Sequence, residues 1–270
     1  MVDLVKMKAN NIRQMDYVDF MATLDEINRP PGGKDSIRIL VQNTFLNKNS
    51  HVLDIGCNTG YCSFEIAELA KCKVTGLDIN KKMVKSANKY LHTNYPDLKR
   101  NVRFIVGDGT KIPFKDNTFD LVMSGGSTAF IPDIPKALLE YARVTKQWGF
   151  VGDINFYYHT KPPKSLIRKL NDLMKIDIQP WNLDYWQSIY RKTGLEIYYH
   201  TFGKMTPVSN EKIEKYCSLL TDQKPWDEKV KKIATERLIE IMTLFNENHR
   251  YLAYGVFILR KRSFPEITLF

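Results

Sequence analysis

Residues 51–60 read HVLDIGCNTG. The apolar run Val52, Leu53 and Ile55 carries one acid, Asp54, and then breaks into a loop bounded by Gly56 and Gly60. This pattern predicts a strand, a tight turn and a helix start. The two glycines let the backbone turn sharply and let a ligand approach with no Cβ in the way. The periodic stretch Tyr61–Ala70 then starts a helix whose first N–H groups lack intrahelical partners and face the loop. The stretch reads as a cofactor cradle, and its neighbours narrow the cofactor.

Val74-Thr75-Gly76-Leu77-Asp78 is a second strand ending in an acid, placed about twenty residues past the glycines. In a βαβ nucleotide-binding unit such an acid takes hydrogen bonds from ribose hydroxyls. A third strand from Val102 ends in Gly107-Asp108-Gly109, where Asp108 is placed to meet the far end of a nucleoside. The dinucleotide fingerprint G-x-G-x-x-G fails here. Counted from Gly56 it needs glycines where the chain has Asn58 and Tyr61. The loop also lacks the Lys-Ser/Thr pair of a phosphate loop. A cofactor with a ribose, an adenine and an amino-acid tail fits better than a diphosphate.

Five stretches carry a family resemblance: VLDIGCNTG (52–60), VTGLDIN (74–80), VRFIVGDGTKIPF (102–114), FDLVMSGGS (119–127) and ALLEYARVTKQWGFV (137–151). In order and spacing, over residues 50–155, the chain resembles the class I S-adenosylmethionine-dependent methyltransferases. Two positions depart from the family pattern. Asn58 stands where the loop usually has glycine. The turn before the fifth strand, usually L-K-P-G-G, is Thr145-Lys146-Gln147-Trp148-Gly149.

Residues 50–155 alternate strand (51–55, 73–78, 102–107, 119–124, 150–155) with helix (61–70, 81–91, 133–145), which implies a parallel sheet covered on both faces. Ligands on such sheets bind at the C-terminal strand ends. Gly56, Asp78, Asp108 and Ser124 all fall there, so one pocket can collect them. The expected fold is a Rossmann-like doubly wound α/β sheet of seven strands, mostly parallel with the last strand antiparallel.

Outside that core, Ile12–Ile27 has apolar residues at helical spacing and reads as one amphipathic helix. The turn Asn28-Arg29-Pro30-Pro31-Gly32-Gly33 follows, then a helical face of Ile37, Leu40, Val41 and Phe45. Residues 1–11 are polar and read as a frayed end. Residues 163–174 and 182–193 are helical, 195–202 is a sixth strand and 251–259 the last. Between them, 208–220 and 226–246 are helical. The expected divisions are a helical lid (1–47), a cofactor-binding core (48–203), a helical insertion (204–248) and a final core strand with tail (249–270). The insertion is read either as a cap shaping the acceptor pocket or as a dimer surface.

The resemblance implies site residues. Asp54, Gly56, Cys57, Asn58 and Gly60 hold the methionine part, with Ser124 and Gly125 lining that end. Asp78 holds the ribose, and Ile79 packs on the adenine. Asp108 accepts from the adenine amino group, flanked by Gly107 and Gly109. The cofactor is S-adenosyl-L-methionine and its product S-adenosyl-L-homocysteine. No metal is called for.

The acceptor side is read from the segment after the fifth strand. A loop running from Asn155 offers Tyr157, Tyr158 and His159, and Trp181 and Trp186 follow on the next helical patterns. His159 is the best-placed general base of five histidines, because imidazole titrates near neutral pH. Asn155, Tyr157, Tyr158, Trp181 and Trp186 are the candidate acceptor walls, against the plainer reading that the aromatics pack appended helices.

Composition bounds the alternatives. The 270 residues carry a formal net charge of +10. Lys and Arg are spread at helical spacing beside apolar residues, which favours solvated helix faces over a nucleic-acid stripe. An RNA methyltransferase using that basic surface stays open, as does a non-catalytic cofactor-binding partner protein. Base-amine methyltransferases carry [DN]-P-P-[YF] where this chain has Ser124-Gly125-Gly126-Ser127, and the Pro-Cys of cytosine-C5 enzymes is missing too. A small molecule or short peptide is therefore the favoured acceptor. The four cysteines form no C-x-x-C pair, and no apolar run is long enough to span a membrane. With no apolar leader, the expectation is a cytoplasmic monomer or homodimer.

Overall fold

The computed structural model describes residues 9–262. Residues 1–8, most of the stretch read as frayed, lie outside the described residues, as does the tail from 263. Among the described residues, seven strands form one sheet: β1 (His51–Ile55), β2 (Lys73–Asp78), β3 (Val102–Val106), β4 (Phe119–Ser124), β5 (Thr145–Tyr158), β6 (Glu196–Lys204) and β7 (Leu252–Arg260). Their order is β3-β2-β1-β4-β5-β7-β6. The first five are parallel, and β7 runs antiparallel to β6. Strand order reverses between β1 and β4, the switch point where such sheets bind ligands.

Ten α-helices among the described residues accompany the strands: α1 (Ala9–Gln14), α2 (Tyr17–Thr23), α3 (Gly33–Asn43), α4 (Tyr61–Ala70), α5 (Lys81–Thr93), α6 (Ile134–Val144), α7 (Lys164–Met174), α8 (Leu183–Arg191), α9 (Asn210–Asp222) and α10 (Glu228–Asn248). None of them is long and apolar enough to cross a membrane. The described chain divides into two compact units. A sheet unit holds Ile27–His159, Trp181–Lys204 and the chain from Ala253 on. A helical unit gathers the chain up to Glu26, Thr160–Pro180 and Met205–Leu252.

In the sheet unit, alternating strand residues feed two cores, as a sheet covered on both faces requires. Val52, Val74, Leu121 and Met123 join Leu40, Phe64 and Ala87 from α3, α4 and α5. Leu53, Ile55, Val122 and Val151 join Leu138 and Tyr141 of α6 and Trp186 and Tyr190 of α8. In the helical unit, Leu166, Leu170 and Met174 of α7 cluster with Tyr17, Leu244 and Phe245. Arg237 of α10 lies over the Phe20 ring at 4.6 Å and donates to the carbonyls of Ile12 and Met15.

Three local readings need correction. The single helix expected over 12–27 is two, because Asp16 adopts an extended conformation and caps α2 by accepting from the Asp19 N–H at 2.7 Å. The helix expected to reach 145 stops at Val144, and β5 starts at Thr145 with a register shift opposite Phe119 and Leu121. That strand runs on to Tyr158, so Asn155, Tyr157 and Tyr158 lie on its end and not in a loop.

Candidate functional site

The C-terminal ends of β1 to β5 bring together the residues expected there, along with several that were not expected. Gly56 turns at φ 64°, Asn58 at φ 50° and Gly60, which precedes α4, at φ 94°. The N–H groups of Gly56 and Cys57 both donate to the Leu77 carbonyl, at 2.7 and 3.1 Å, so the loop is strapped across the end of β2. Asn58 keeps the left-handed turn in place of glycine because Asn is among the few residues that tolerate it, and its own Oδ1 accepts the Thr59 N–H at 2.7 Å.

Asp78 is 9% exposed. Its Oδ1 accepts from the Asn80 N–H and its Oδ2 from the Asn58 N–H, both at 2.8 Å. Burial raises its pKa against the pull of these two bonds. Each carboxylate oxygen keeps a further lone pair that can accept. Ile79 beside it is 72% exposed. Asp108 is exposed, and its Oδ1 accepts from Thr110 N and Oγ1 at 2.8 and 2.9 Å, an Asx turn that leaves Oδ2 outside it. Gly107 and Gly109 flank it, and a Cβ at Gly109 would meet Ile55 at 3.1 Å.

Asp54 is almost fully buried and accepts from Ser63 Oγ at 2.6 Å. Burial pushes its pKa up to about 7, opposed by the Ser63 bond and helped by Asp78. Cys57 and Cys62 are buried thiols whose pKa burial likewise raises.

Ser127, quoted in the sequence motif but not named there as a site residue, joins the β1 and β4 ends. Its Oγ donates to the Ile55 carbonyl at 2.6 Å and pairs with Ser124 Oγ at 2.8 Å. Ser124 is fully buried, so it supports this loop from below. The buried Pro30 and Pro31 pack on it from the other side, 3.4 Å and 3.2 Å from where a Cβ would stand at Gly125 and Gly126.

Asp153 was also missed. It pairs in register with Ser124 and is fully buried. Thr128 Oγ1 donates to its Oδ1 at 2.8 Å; Tyr190 Oη and Asn155 Nδ2 donate to its Oδ2 at 2.8 and 2.6 Å. Burial lifts its pKa to about 7 in spite of all three. The pair Asp153 and Asn155, two apart in an apolar strand, was the available signal, since such residues share one face.

The acceptor candidates separate. Tyr157 is half-buried and meets Phe202 edge-on at 5.7 Å. Trp181 is half-buried and stacks on Tyr185 at 3.8 Å. Tyr158 is buried, and its N–H donates to the Trp181 carbonyl at 2.8 Å. Trp186 is fully buried in the core and donates to the Phe156 carbonyl, so its role here is packing. His159 is exposed just past β5. Among the described residues, no three His, Cys, Asp or Glu side chains are grouped to hold a metal.

Comparison with known proteins agrees with this geometry. A family model described as a methyltransferase domain matches residues 46–201. A sterol 24-C-methyltransferase of Gibberella zeae is 30% identical over 166 residues, 60% of this chain and 43% of that protein. A ubiquinone/menaquinone biosynthesis C-methyltransferase of Rickettsia prowazekii is 33% identical over 147 residues, 52% of this chain and 57% of that one. The chain thus spans about half the length of each. The crystal structure of MccD protein is 27% identical, with a TM-score of 0.74 over 87% of this chain and 100% of that one. The family match covers more than half of the sequence and falls on the strands and loops that gather Gly56, Asp78 and Asp108, and the chain belongs to the class I S-adenosylmethionine-dependent methyltransferases.

Proposed function

We propose that this enzyme methylates a small molecule at the C-terminal ends of β4 and β5. The observation that carries the cofactor half is the end of β2, where the buried Asp78 carboxylate adjoins the exposed Ile79 side chain. A carboxylate with further lone pairs beside an unburied apolar surface matches a ribose joined to a flat base. In this reading Asp78 accepts from the ribose hydroxyls and Ile79 covers the adenine. Asp108 Oδ2 accepts from the adenine amino group. The Gly56–Gly60 loop, backed by Asp54, takes the methionine part, with Gly125 beside it. Bound S-adenosylmethionine supplies a methyl group already activated on a sulfonium.

The chain's own task is then to position the acceptor and exclude water. Tyr157 and Trp181 are the proposed walls, and Asn155 offers a polar contact. His159 is the group proposed to take a proton where the acceptor arrives protonated. The sterol and quinone named for the two relatives support an apolar small molecule, as does the missing base-methylation motif at Ser124–Ser127.

The test is methyl transfer from labelled S-adenosylmethionine to a panel of quinols, sterols and phenols, with bulk tRNA in parallel. Label in the small-molecule fraction alone supports the reading. Label in tRNA alone overturns it in favour of the basic surface.

A further inference from the structure

A second cleft opens at the other end of the sheet. It has a volume of ≈ 510 Å³, and Phe45, Trp148, Tyr198 and Arg260 are among its lining residues. The five residues of β1 separate its rim, at Ser50, from Gly56, a distance of about 20 Å. The cleft is therefore distinct from the cofactor end. Its volume lies within the range of small-molecule sites.

Three observations say what it takes. First, Phe45 and Trp148 both hold left-handed backbone, at φ 54° and 64°. Bulky L residues adopt that region only at a cost, and such strain persists where the surroundings or a function impose it. Secondly, the rings stay out of the core: Phe45 is 67% exposed, Trp148 44% and Tyr198 37%. Thirdly, the Arg260 guanidinium lies 4.7 Å from the Trp148 ring and 5.5 Å from that of Tyr198. Its Nε is buried and donates to nothing among the described residues. The other lining charges, Lys146 and Asp120, neutralise each other in an ion pair at 2.9 Å.

A flat apolar wall beside a guanidinium whose Nε has no acceptor suits a flat apolar ligand with one negative charge, even with Glu196, which pairs with Arg262, opposite Arg260 in the ladder. We propose that this cleft is a second ligand site, for a small aromatic carboxylate, whose ring packs on Phe45, Trp148 and Tyr198 and whose carboxylate meets Arg260. A carboxylate supplies the acceptor that the Arg260 Nε lacks, and charge-assisted bonds of this kind are strong and directional.

Calorimetric titration of the full chain with indole-3-acetate, against its neutral isostere indole-3-acetamide, tests this. The acid should bind, and the amide should bind about tenfold more weakly or worse. Saturation with S-adenosylhomocysteine should leave the affinity unchanged. Trp148→Gly removes the ring and relieves the positive φ, so affinity should drop about tenfold while the melting temperature is retained. Arg260→Lys keeps the charge, loses the Nε donor and planar stack, and should weaken binding similarly. No binding, equal binding of acid and amide, displacement by S-adenosylhomocysteine, or undiminished binding to folded Trp148→Gly would each overturn the proposal.

Discussion

The Oδ2 atom of Asp78 accepts the backbone N–H of Asn58 at 2.8 Å, which ties the acid closing β2 to the left-handed residue of the glycine loop. One carboxylate thus shapes the loop and faces the proposed ribose position. Asp78→Ala should weaken S-adenosylhomocysteine binding by about 2 kcal/mol or more, since bonds to a charged acceptor are lost. Calorimetry on folded mutant protein checks it. Asp78→Asn should fall between the two, because an amide oxygen still accepts. Unchanged affinity of the alanine variant would falsify the ribose assignment.

Asn58 tests the other partner. At φ 50°, glycine should replace it with no loss of stability, whereas a β-branched residue should not fit. Asn58→Val is expected to cost about 1–2 kcal/mol in urea melts and to weaken cofactor binding as the loop shifts. Gly56→Ala should be worse, because φ is 64° and the added Cβ would stand 2.2 Å from Ser127 Oγ. A Gly56→Ala melt that overlays the native one would show that Ser127 moves freely, and so does not fix the joint between β1 and β4.

These residues also show what a sequence exposes. The strands and the acids at their ends were legible because strand periodicity, glycines and a terminal carboxylate lie within a few neighbouring positions. The antiparallel course of the last strand came with the family pattern. The joint made by Ser127 was not legible, since it binds Ile55, 72 residues away. Asp153 hid for the same reason: Thr128 and Tyr190 reach it from a loop and a helix distant in the chain. Trp186 misled because its spacing suits a core residue and a pocket wall equally, and only packing decides between them. The break at Asp16 could have been read, as an acid three residues before Asp19 is a capping signal.

Burial lifts the folded-state pKa of Asp153, and of Asp54, to about 7, well above the ordinary carboxylate range. A raised folded pKa means that the native state holds its proton longer than the unfolded chain. Stability from this source is fully present below about pH 4 and is lost as pH rises through 7. A rise of that size corresponds to about 4 kcal/mol per group at most. His51 and His249, whose pKa burial lowers, act oppositely, destabilising the fold as pH falls through their unfolded value of 6.5. The comparison should therefore be made against Asp153→Asn. Between pH 5 and 8 the native chain should lose more stability than the variant, read as urea midpoints. Parallel curves would mean that Asp153 is already ionised in the folded protein at pH 5.

The two tryptophans near the acceptor side separate packing from recognition. Trp186 is fully buried, stacks against Tyr190 at 5.9 Å and donates to the Phe156 carbonyl at 3.1 Å. Trp186→Ala removes a core ring and leaves that carbonyl unpaired, so it should cost about 3–5 kcal/mol. Trp181 is half-buried, and its ring is stacked only 3.8 Å from Tyr185. Trp181→Ala should cost about 1 kcal/mol, in line with one half-buried aromatic pair. Its larger effect should fall on the acceptor that the methyl-transfer screen identifies, raising KM while S-adenosylhomocysteine affinity stays at the native value. The pairing of a stability readout with two binding readouts matters, because a general loosening of β5 would move all three together. A Trp181→Ala variant that loses cofactor affinity and stability in step, with no separate change in KM, would place Trp181 beside Trp186 as a packing residue.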